Sequence, residues 1–318
     1  MEKVSVIVIN WNGEYYLERC LAALTAQTVM PYEIILVDNA SSDASMAIAK
    51  KFPDLKIIAL NHNCGFAGGN NLAINSASQD SEWIAFINPD AFATPSWLEE
   101  LLSSAKRNPT YTLFGSQLLS SSEPNLLDGA GDAYHISGRM WRIGHGEPAV
   151  SYAPVEREVF SPCAAAAMCR RGALLEVGGF DEDYFCYVED VDLGFRLRLA
   201  GYRCLYVPLS VAHHVGSGTT GGQHSDFAVY HGHRNLVWTY VKDMPGMLFW
   251  VFLPLHLAMN LVAMMVFTVR GQGGVMFRAK RDALMGIPRM WRKRRQIQCK
   301  RVVSWRAILR VLEKGFGK

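Results

Sequence analysis

Residues 4–9 form a short apolar run rich in β-branched side chains, which predicts a buried strand. Leu17, Cys20, Leu21 and Leu24 follow at helical spacing, and Pro31 lies beyond the break. Further strands are predicted over 33–37, 56–60 and 83–87, with helices after the turns at 38–43 and 61–71. This alternation of strand and helix predicts an α/β fold whose mostly parallel sheet is covered on both faces. In such sheets ligands bind beyond the carboxyl ends of the strands. Polar clusters lie there each time, at 10–13, 38–43, 61–71 and 88–90. The first strand is followed by Asn10-Trp11-Asn12-Gly13 and not by a glycine-rich phosphate turn, which disfavours a dinucleotide-binding domain.

Periodicity fades over 116–160, which reads as a variable excursion, and returns at 163–168, where small residues allow close packing. Residues 190–199 fit a helix ended by Gly201, and 203–207 a strand whose Pro208 leads to His213 and His214. No internal repeat is evident.

The densest chemistry lies in 184–196, where Glu189, Asp190 and Asp192 open the predicted helix among aromatic and apolar neighbours. Carboxylates this close repel, so they need a cation, an Arg partner or a catalytic proton. With Asn88-Pro89-Asp90 and the His213-His214 pair, they point to a metal-assisted transferase acting on an anionic donor. A structural alternative is available: acidic residues favour a helix N-terminus, and Arg196 and Arg198 are close enough in sequence to neutralise Asp192.

Charge then divides the chain. Residues 270–318 hold 15 Lys/Arg against 2 Asp/Glu, a net of +13, whereas residues 1–269 carry a net of −10. Such a split suggests a catalytic body joined to a tail that seeks an anionic surface, with Arg292, Lys293, Arg294 and Arg295 its densest run. Beside it, residues 247–269 are long and apolar enough to cross a bilayer, but Pro254, His256 and Asn260 interrupt them. A single crossing would put the basic tail outside, so a bent or interfacial segment entering one leaflet is expected. A buried helical hairpin is the alternative. A nucleic-acid partner is not expected, because the apolar stretch needs a home. The seven scattered cysteines disfavour a disulfide framework or a structural zinc site, and the early strand pattern leaves no room for a signal peptide, so a reducing, cytosolic setting is expected.

Taken in order, 5–12, 37–43, 63–70, 86–90, 178–181, 189–196 and His214 followed by Thr219 resemble glycosyltransferase family 2, whose catalytic domain has the GT-A fold. The resemblance covers residues 3 to about 240, and within the family the chain looks most like bacterial rhamnosyltransferases. It implies a GT-A catalytic domain over 1–240; the apolar stretch and charge split lead to the expectation of an apolar segment and basic helical tail associated with the membrane over 241–318.

The resemblance also implies a nucleotide-diphosphate sugar donor and roles for matching residues. Trp11 would stack on the base, although a core tryptophan at a strand end is the plainer reading. Asp38 would accept the ring N–H of uracil or thymine, or simply form a turn. Asn63, Gly65 and Asn70 would shape the loop near base and sugar, unless Asn70 only caps a helix. Asp90 would bind Mg²⁺ or Mn²⁺, with Asn88 standing where the family usually has a first acid. His214 would be the second ligand, with His213 one register step away. Asp190 would be the base of an inverting transfer, with Glu189 able to exchange roles, while Asp192 and Arg196 organise the helix.

The function implied is transfer of a sugar, L-rhamnose from dTDP-rhamnose first, to a lipid-linked glycan acceptor at the cytoplasmic face of the inner membrane, by a peripheral or monotopic protein. The rival readings are a non-catalytic partner in polysaccharide assembly and a nucleotidyltransferase.

Overall fold

The computed structural model describes residues 2–152, 154–216, 221–222 and 224–315. Strands β1 (Val4–Asn10), β2 (Glu33–Asp38), β3 (Leu55–Ala59) and β4 (Trp83–Ile87) alternate with helices α1 (Glu14–Thr25), α2 (Ser45–Ala49) and α3 (Gly65–Ser76), as the periodicity predicts. They pair in parallel in the order β4-β1-β2-β3. Along β1 the side chains divide by parity. Val4, Val6 and Val8 join a core with Leu17, Leu21 and Leu24 of α1, while Ile7 and Ile9 pack with Ala67, Ala73 and Ile74 of α3 on the other face. Burial on both faces is why β1 reads as an unbroken apolar run. Each such Ile or Leu stabilises the fold by roughly 1.5–3 kcal/mol.

The chain then passes β5 (Ala91–Ala93) and α4 (Trp97–Arg107) to β6 (Leu113–Ser120). Residues 116–160, expected to be irregular, contain most of β6, then β7 (Leu127–Gly129), β8 (Asp132–Tyr134), β9 (Met140–Arg142) and β10 (Arg157–Val159). The last four have three residues each, too few for a periodicity to declare itself. β11 (Ala166–Arg170) runs antiparallel between β4 and β6, and α5 (Arg171–Glu176) follows. α6 (Glu189–Leu199) opens on the carboxylate cluster, and the turn after it uses Gly201 at φ +92°. The strand expected over 203–207 continues as β12 (Cys204–His214), its register against β6 slipping between Val207 and Val211 to accommodate Pro208. The sheet order is β10-β12-β6-β11-β4-β1-β2-β3.

Helices α7 (Asp226–Asp243), α8 (Gly246–Val269), α9 (Gly273–Cys299) and α10 (Trp305–Val311) complete the chain. They share a core with the sheet-bearing part: Phe195 of α6 and Tyr134 of β8 belong to one buried cluster with Trp238, Ala283, Met290 and Ile308. α8 is a single helix with Pro254 inside it, and it is the one helix among the described residues long and apolar enough to cross a membrane. It is not the buried hairpin of the alternative reading. Only Leu248, Phe249 and His256 are buried, and a stripe through Met247, Trp250, Leu257, Leu261, Met265 and Val269 faces outward.

The basic run is not uniformly a surface. Arg294 is buried, donating to the carbonyls of Val241 (2.9 Å) and Met244 (2.5 Å). Lys293 pairs with Asp181 and Asp183. Only Arg292 and Arg295 of the four are exposed, because helical geometry turns the two middle residues toward α7 and the 181–183 turn.

Candidate active site

A cavity of about 950 Å³ lies beyond the carboxyl ends of β1 and β4. The chain leaves β1 toward β2 on one side and returns to β4 on the other, so the cavity occupies a topological switch point.

Asp90 and His214 meet on one wall. The Asn88-Pro89-Asp90 turn closes with Ala91 N donating to Asn88 O at 3.0 Å, and β5 then pairs with β12 so that Ala91 stands opposite His214. His214 Nε2 lies 3.3 Å from Asp90 Oδ1, buried and without an aligned hydrogen bond, while Nδ1 is 2.7 Å from Asp128 Oδ2. Burial opposes charge on His214, but its hydrogen bond to Asp128 and the nearby Asp90 carboxylate outweigh that and raise its pKa to about 9. Asp128 likewise overcomes burial, held near 2 by His214 and by Arg142, whose Nη1 is 2.5 Å away. The alternative ligand His213 lies on the opposite side of β12 by strand alternation; burial and then the nearby Arg19 charge lower its pKa. Thr219 falls outside the described residues.

This arrangement fits a divalent cation. A carboxylate oxygen and a buried imidazole nitrogen face each other, and a second carboxylate fixes the other ring nitrogen, the usual support for a metal-bound histidine. Oxygen-plus-imidazole donor sets suit Mn²⁺, and Mg²⁺ when phosphates complete the shell.

Glu189 and Asp190 start α6 and line the cavity with Asp132. The carboxylates of Asp132 and Asp190 and the thiol of Cys163 lie within 4.8 Å of one another. Burial and the Asp190 charge push both Glu189 and Asp132 well above the usual carboxylate range. Asp190 is also raised by burial, but it accepts hydrogen bonds from Ala164 N (3.2 Å) and Val191 N (2.8 Å) and feels Arg142. Glu189 has a single such donor, its own backbone N–H, and Asp132 feels the Arg142 charge. Burial and the Asp190 charge thus disfavour the charged form of Glu189 and Asp132, while two backbone donors favour it at Asp190.

On the opposite side, Trp11, Asn63 and Gly65 line the cavity. Trp11 is exposed at 38% and so is no core tryptophan. Gly65 has φ +79°, and a Cβ there would stand 2.5 Å from Phe185 O, so only glycine admits the approach of this loop. Asp38 and Asn70 lie behind the wall. Asp38 is buried, accepting from Asn10 Nδ2 (3.0 Å) and Ser41 N (3.0 Å), so it shapes the turn. Asn70 sits inside α3 and donates to Phe66 O (2.9 Å), neither capping the helix nor reaching the cavity. Asn39 takes the lining position, donating to Gly65 O at 3.1 Å.

Asp192 and Arg196 form a buried pair at 2.7 Å, and Arg196 also binds the carbonyls of Val177 and Gly179, so they organise the helix. Arg198 pairs with Glu158 instead of Asp192.

A protein-family model of glycosyl transferase family 2 matches residues 5–177, more than half the chain. The chain belongs to glycosyl transferase family 2. Its relatives include N-acetylglucosaminyl-diphospho-decaprenol L-rhamnosyltransferase of Mycobacterium tuberculosis, 30% identical over 249 residues, covering 71% of this chain and 80% of that protein. Rhamnosyltransferase WbbL of Escherichia coli is 28% identical over 66% of this chain and 84% of its own length. Two solved structures share the fold. They are GalNAc-T7 with UDP, GalNAc and Mn²⁺ (TM-score 0.61, 15% identity, 76% of this chain and 48% of that one) and the mannosyltransferase PcManGT from Pyrobaculum calidifontis with GDP-Man and Mn²⁺ (0.56, 18%, 97% and 86%). The fold is thus GT-A-like, with a mostly parallel central sheet.

For this family-2 chain, sequence reasoning missed Asn39, Asp128, Asp132 and Arg142. The available signal was the Asp128-Gly129-Ala130-Gly131-Asp132 run, two carboxylates framing small residues within a segment otherwise without pattern.

Proposed function

We propose that the chain is an inverting glycosyltransferase, dependent on Mg²⁺ or Mn²⁺, that moves L-rhamnose from dTDP-rhamnose to a hydroxyl of a lipid-linked glycan. The observation that carries this reading is Asp190, which lines the same cavity as Asp90 and His214 and accepts hydrogen bonds from two backbone N–H groups that favour its charged form. Asp190 takes the acceptor hydroxyl proton as that oxygen attacks the anomeric carbon from the face opposite the leaving phosphate. The sugar–phosphate bond breaks, and the electron pair departs with the nucleoside diphosphate. A cation held by Asp90 and His214 would neutralise the charge arriving on the pyrophosphate. Trp11 offers a flat face to the base, and Asn39 and Asn63 offer amides near the base and sugar.

The acceptor class rests on three supports. One end of the cavity is apolar, bounded by Phe227 and Leu236 of α7 and Phe267 of α8. α8 carries the outward apolar stripe, and the M. tuberculosis relative is named for a diphospho-decaprenol acceptor. One side of α8 packs on α9 and α10 while the other is bare, which suits a helix lying in the interface of the cytoplasmic leaflet.

The test begins with thermal shift against dTDP-, UDP- and GDP-sugars with and without Mn²⁺, since a ligand of the folded state raises its melting temperature. NMR analysis of products with farnesyl-diphospho-N-acetylglucosamine as acceptor follows. Transfer with inverted anomeric configuration supports the reading. Pyrophosphate release would make the chain a nucleotidyltransferase, and binding without turnover a non-catalytic partner.

A further inference from the structure

The turn that delivers Glu189 and Asp190 is strained. Phe185, Tyr187 and Val188 have φ of 63°, 68° and 70°, and they are three of the five non-glycine residues with positive φ among the described residues. A β-branched valine in this region is a pronounced outlier. No glycine lies between Asp181 and Glu189, so this stretch has no intrinsic preference for the conformation it adopts.

What over-determines it comes from α7. Asn235 is fully buried, and its side-chain amide reaches three carbonyls of the turn, Tyr184 O at 3.0 Å, Cys186 O at 3.0 Å and Tyr187 O at 2.7 Å. Arg234 donates from Nε to Asn235 Oδ1 at 2.9 Å, which orients the amide, and from Nη2 to Tyr184 O at 2.9 Å. The fourth carbonyl, Phe185 O, points the other way and accepts from Phe66 N at 2.7 Å, tying the turn to the start of α3 beside Gly65. The same turn therefore joins the loop expected to hold the donor to the carboxylate expected to act as base.

We propose that Asn235, with Arg234 setting its amide, is a positioning residue that holds the left-handed turn and so places Asp190 against the acceptor. This rests on the reading of Asp190 as the base. Asn235 touches no reacting atom in this scheme. Its effect is geometric, and displacement of a catalytic group by about 1 Å can cost on the order of 10²-fold in rate.

The test compares full-length wild type, Asn235→Ala, Arg234→Gln, Asp190→Asn and the double variant Asn235→Ala/Val188→Gly. Each is assayed for dTDP release from dTDP-L-rhamnose with Mn²⁺ and for dTDP affinity by titration, with near-UV circular dichroism as the check on folding. Asn235→Ala is expected to lower kcat roughly 10- to 100-fold while dTDP affinity changes less than about threefold. Arg234→Gln should give a smaller loss of the same kind. The double variant should recover part of kcat, because glycine adopts positive φ without the clamp. Such recovery is not expected from a residue that merely packs. Wild-type kcat in Asn235→Ala, or in Arg234→Gln if Asn235→Ala does not fold, overturns the proposal. So does a loss of kcat and dTDP affinity together that glycine does not relieve. If Asp190→Asn turns over normally, the base lies elsewhere and the underlying reading is what has failed. An inactive Asp190→Asn beside an unaffected Asn235→Ala overturns the positioning role alone.

Discussion

Asp128 accepts the Nδ1–H of His214 at 2.7 Å across 86 residues of sequence, and in doing so aims Nε2 at Asp90. A three-residue strand that sequence reading passes over as irregular thereby fixes the orientation of a predicted metal ligand.

Asp128→Asn should therefore weaken metal use without touching the metal. Loss of such an outer carboxylate typically costs about 10- to 100-fold in metal affinity or activity. The Mn²⁺ concentration for half-maximal activity should rise accordingly, and Asp90→Ala and His214→Ala should raise it further. Retention of full activity in excess EDTA would remove the metal from the reading.

Asp190→Asn keeps size and most hydrogen bonding but removes basicity, so turnover should fall about 10²-fold or more while donor binding survives. Glu189→Gln should be much milder, because burial and the Asp190 charge already disfavour the charged form of Glu189. The acid limb of kcat/KM should sit above the ordinary Asp value of about 3.9, since burial raises Asp190. Equal losses in both variants would argue for a shared role.

Lys242 is fully buried, 2.5 Å from Asp181 and paired also with Asp192. Lys242→Met leaves buried carboxylates without this cation and should cost roughly 3–5 kcal/mol in a denaturant titration.

The same cluster sets an acid limit. Burial opposes the Asp181 charge, but Lys242 and Lys293 outweigh it and hold its folded pKa below the unfolded value. Arg196 and Lys242 likewise outweigh burial and lower Asp192. For a depressed carboxylate, stability is fully present above the unfolded pKa of about 3.9 and is lost as pH falls through the folded one. Asp243, raised by burial and the Asp192 charge, works in the opposite sense and offsets part of the loss. Thermal melts from pH 6 down to pH 2 should show a steep decline that Asp181→Asn flattens.

Vesicle flotation separates the two membrane forces. Leu261→Glu and Met265→Glu on the exposed stripe of α8 should abolish flotation at high salt, where screening leaves only the apolar contribution. Arg292→Gln and Arg295→Gln should weaken binding to anionic vesicles by about 1 kcal/mol each at low salt. Arg294→Gln should instead lower stability, since its guanidinium holds two buried carbonyls.

Much of the frame was legible because it rests on local signals. β1 and β4 announce themselves as continuous apolar runs, and the polar residues ending them lie where a parallel sheet gathers its ligands. Trp11, Asn63, Gly65 and Asp90 lie in those polar clusters, with roles implied by the family resemblance, and Glu189 and Asp190 were visible as crowded carboxylates opening a predicted helix. Asp38 and Asn70 carried the right identity at the right spacing, yet whether a polar side chain faces a cavity or the back of its wall depends on a rotation that spacing does not encode. Here Asp38 turned to Asn10 and Ser41, and Asn39 took the lining position.

By itself, then, the sequence determined the alternating α/β frame, the end of the sheet that binds, and the acidic residues that open α6. Tertiary structure alone decided that Asp128 and Arg142 serve the site from three-residue strands, that Asn235 clamps the turn before Asp190, and that the basic run splits into exposed Arg292 and Arg295 and inward Lys293 and Arg294. The reason is physical. Periodicity reports which face of an element is apolar, because hydrophobic burial is non-directional and repeats with the backbone. A buried charge or amide is stable only against a specific partner, and here those partners arrive from elements tens to more than a hundred residues away.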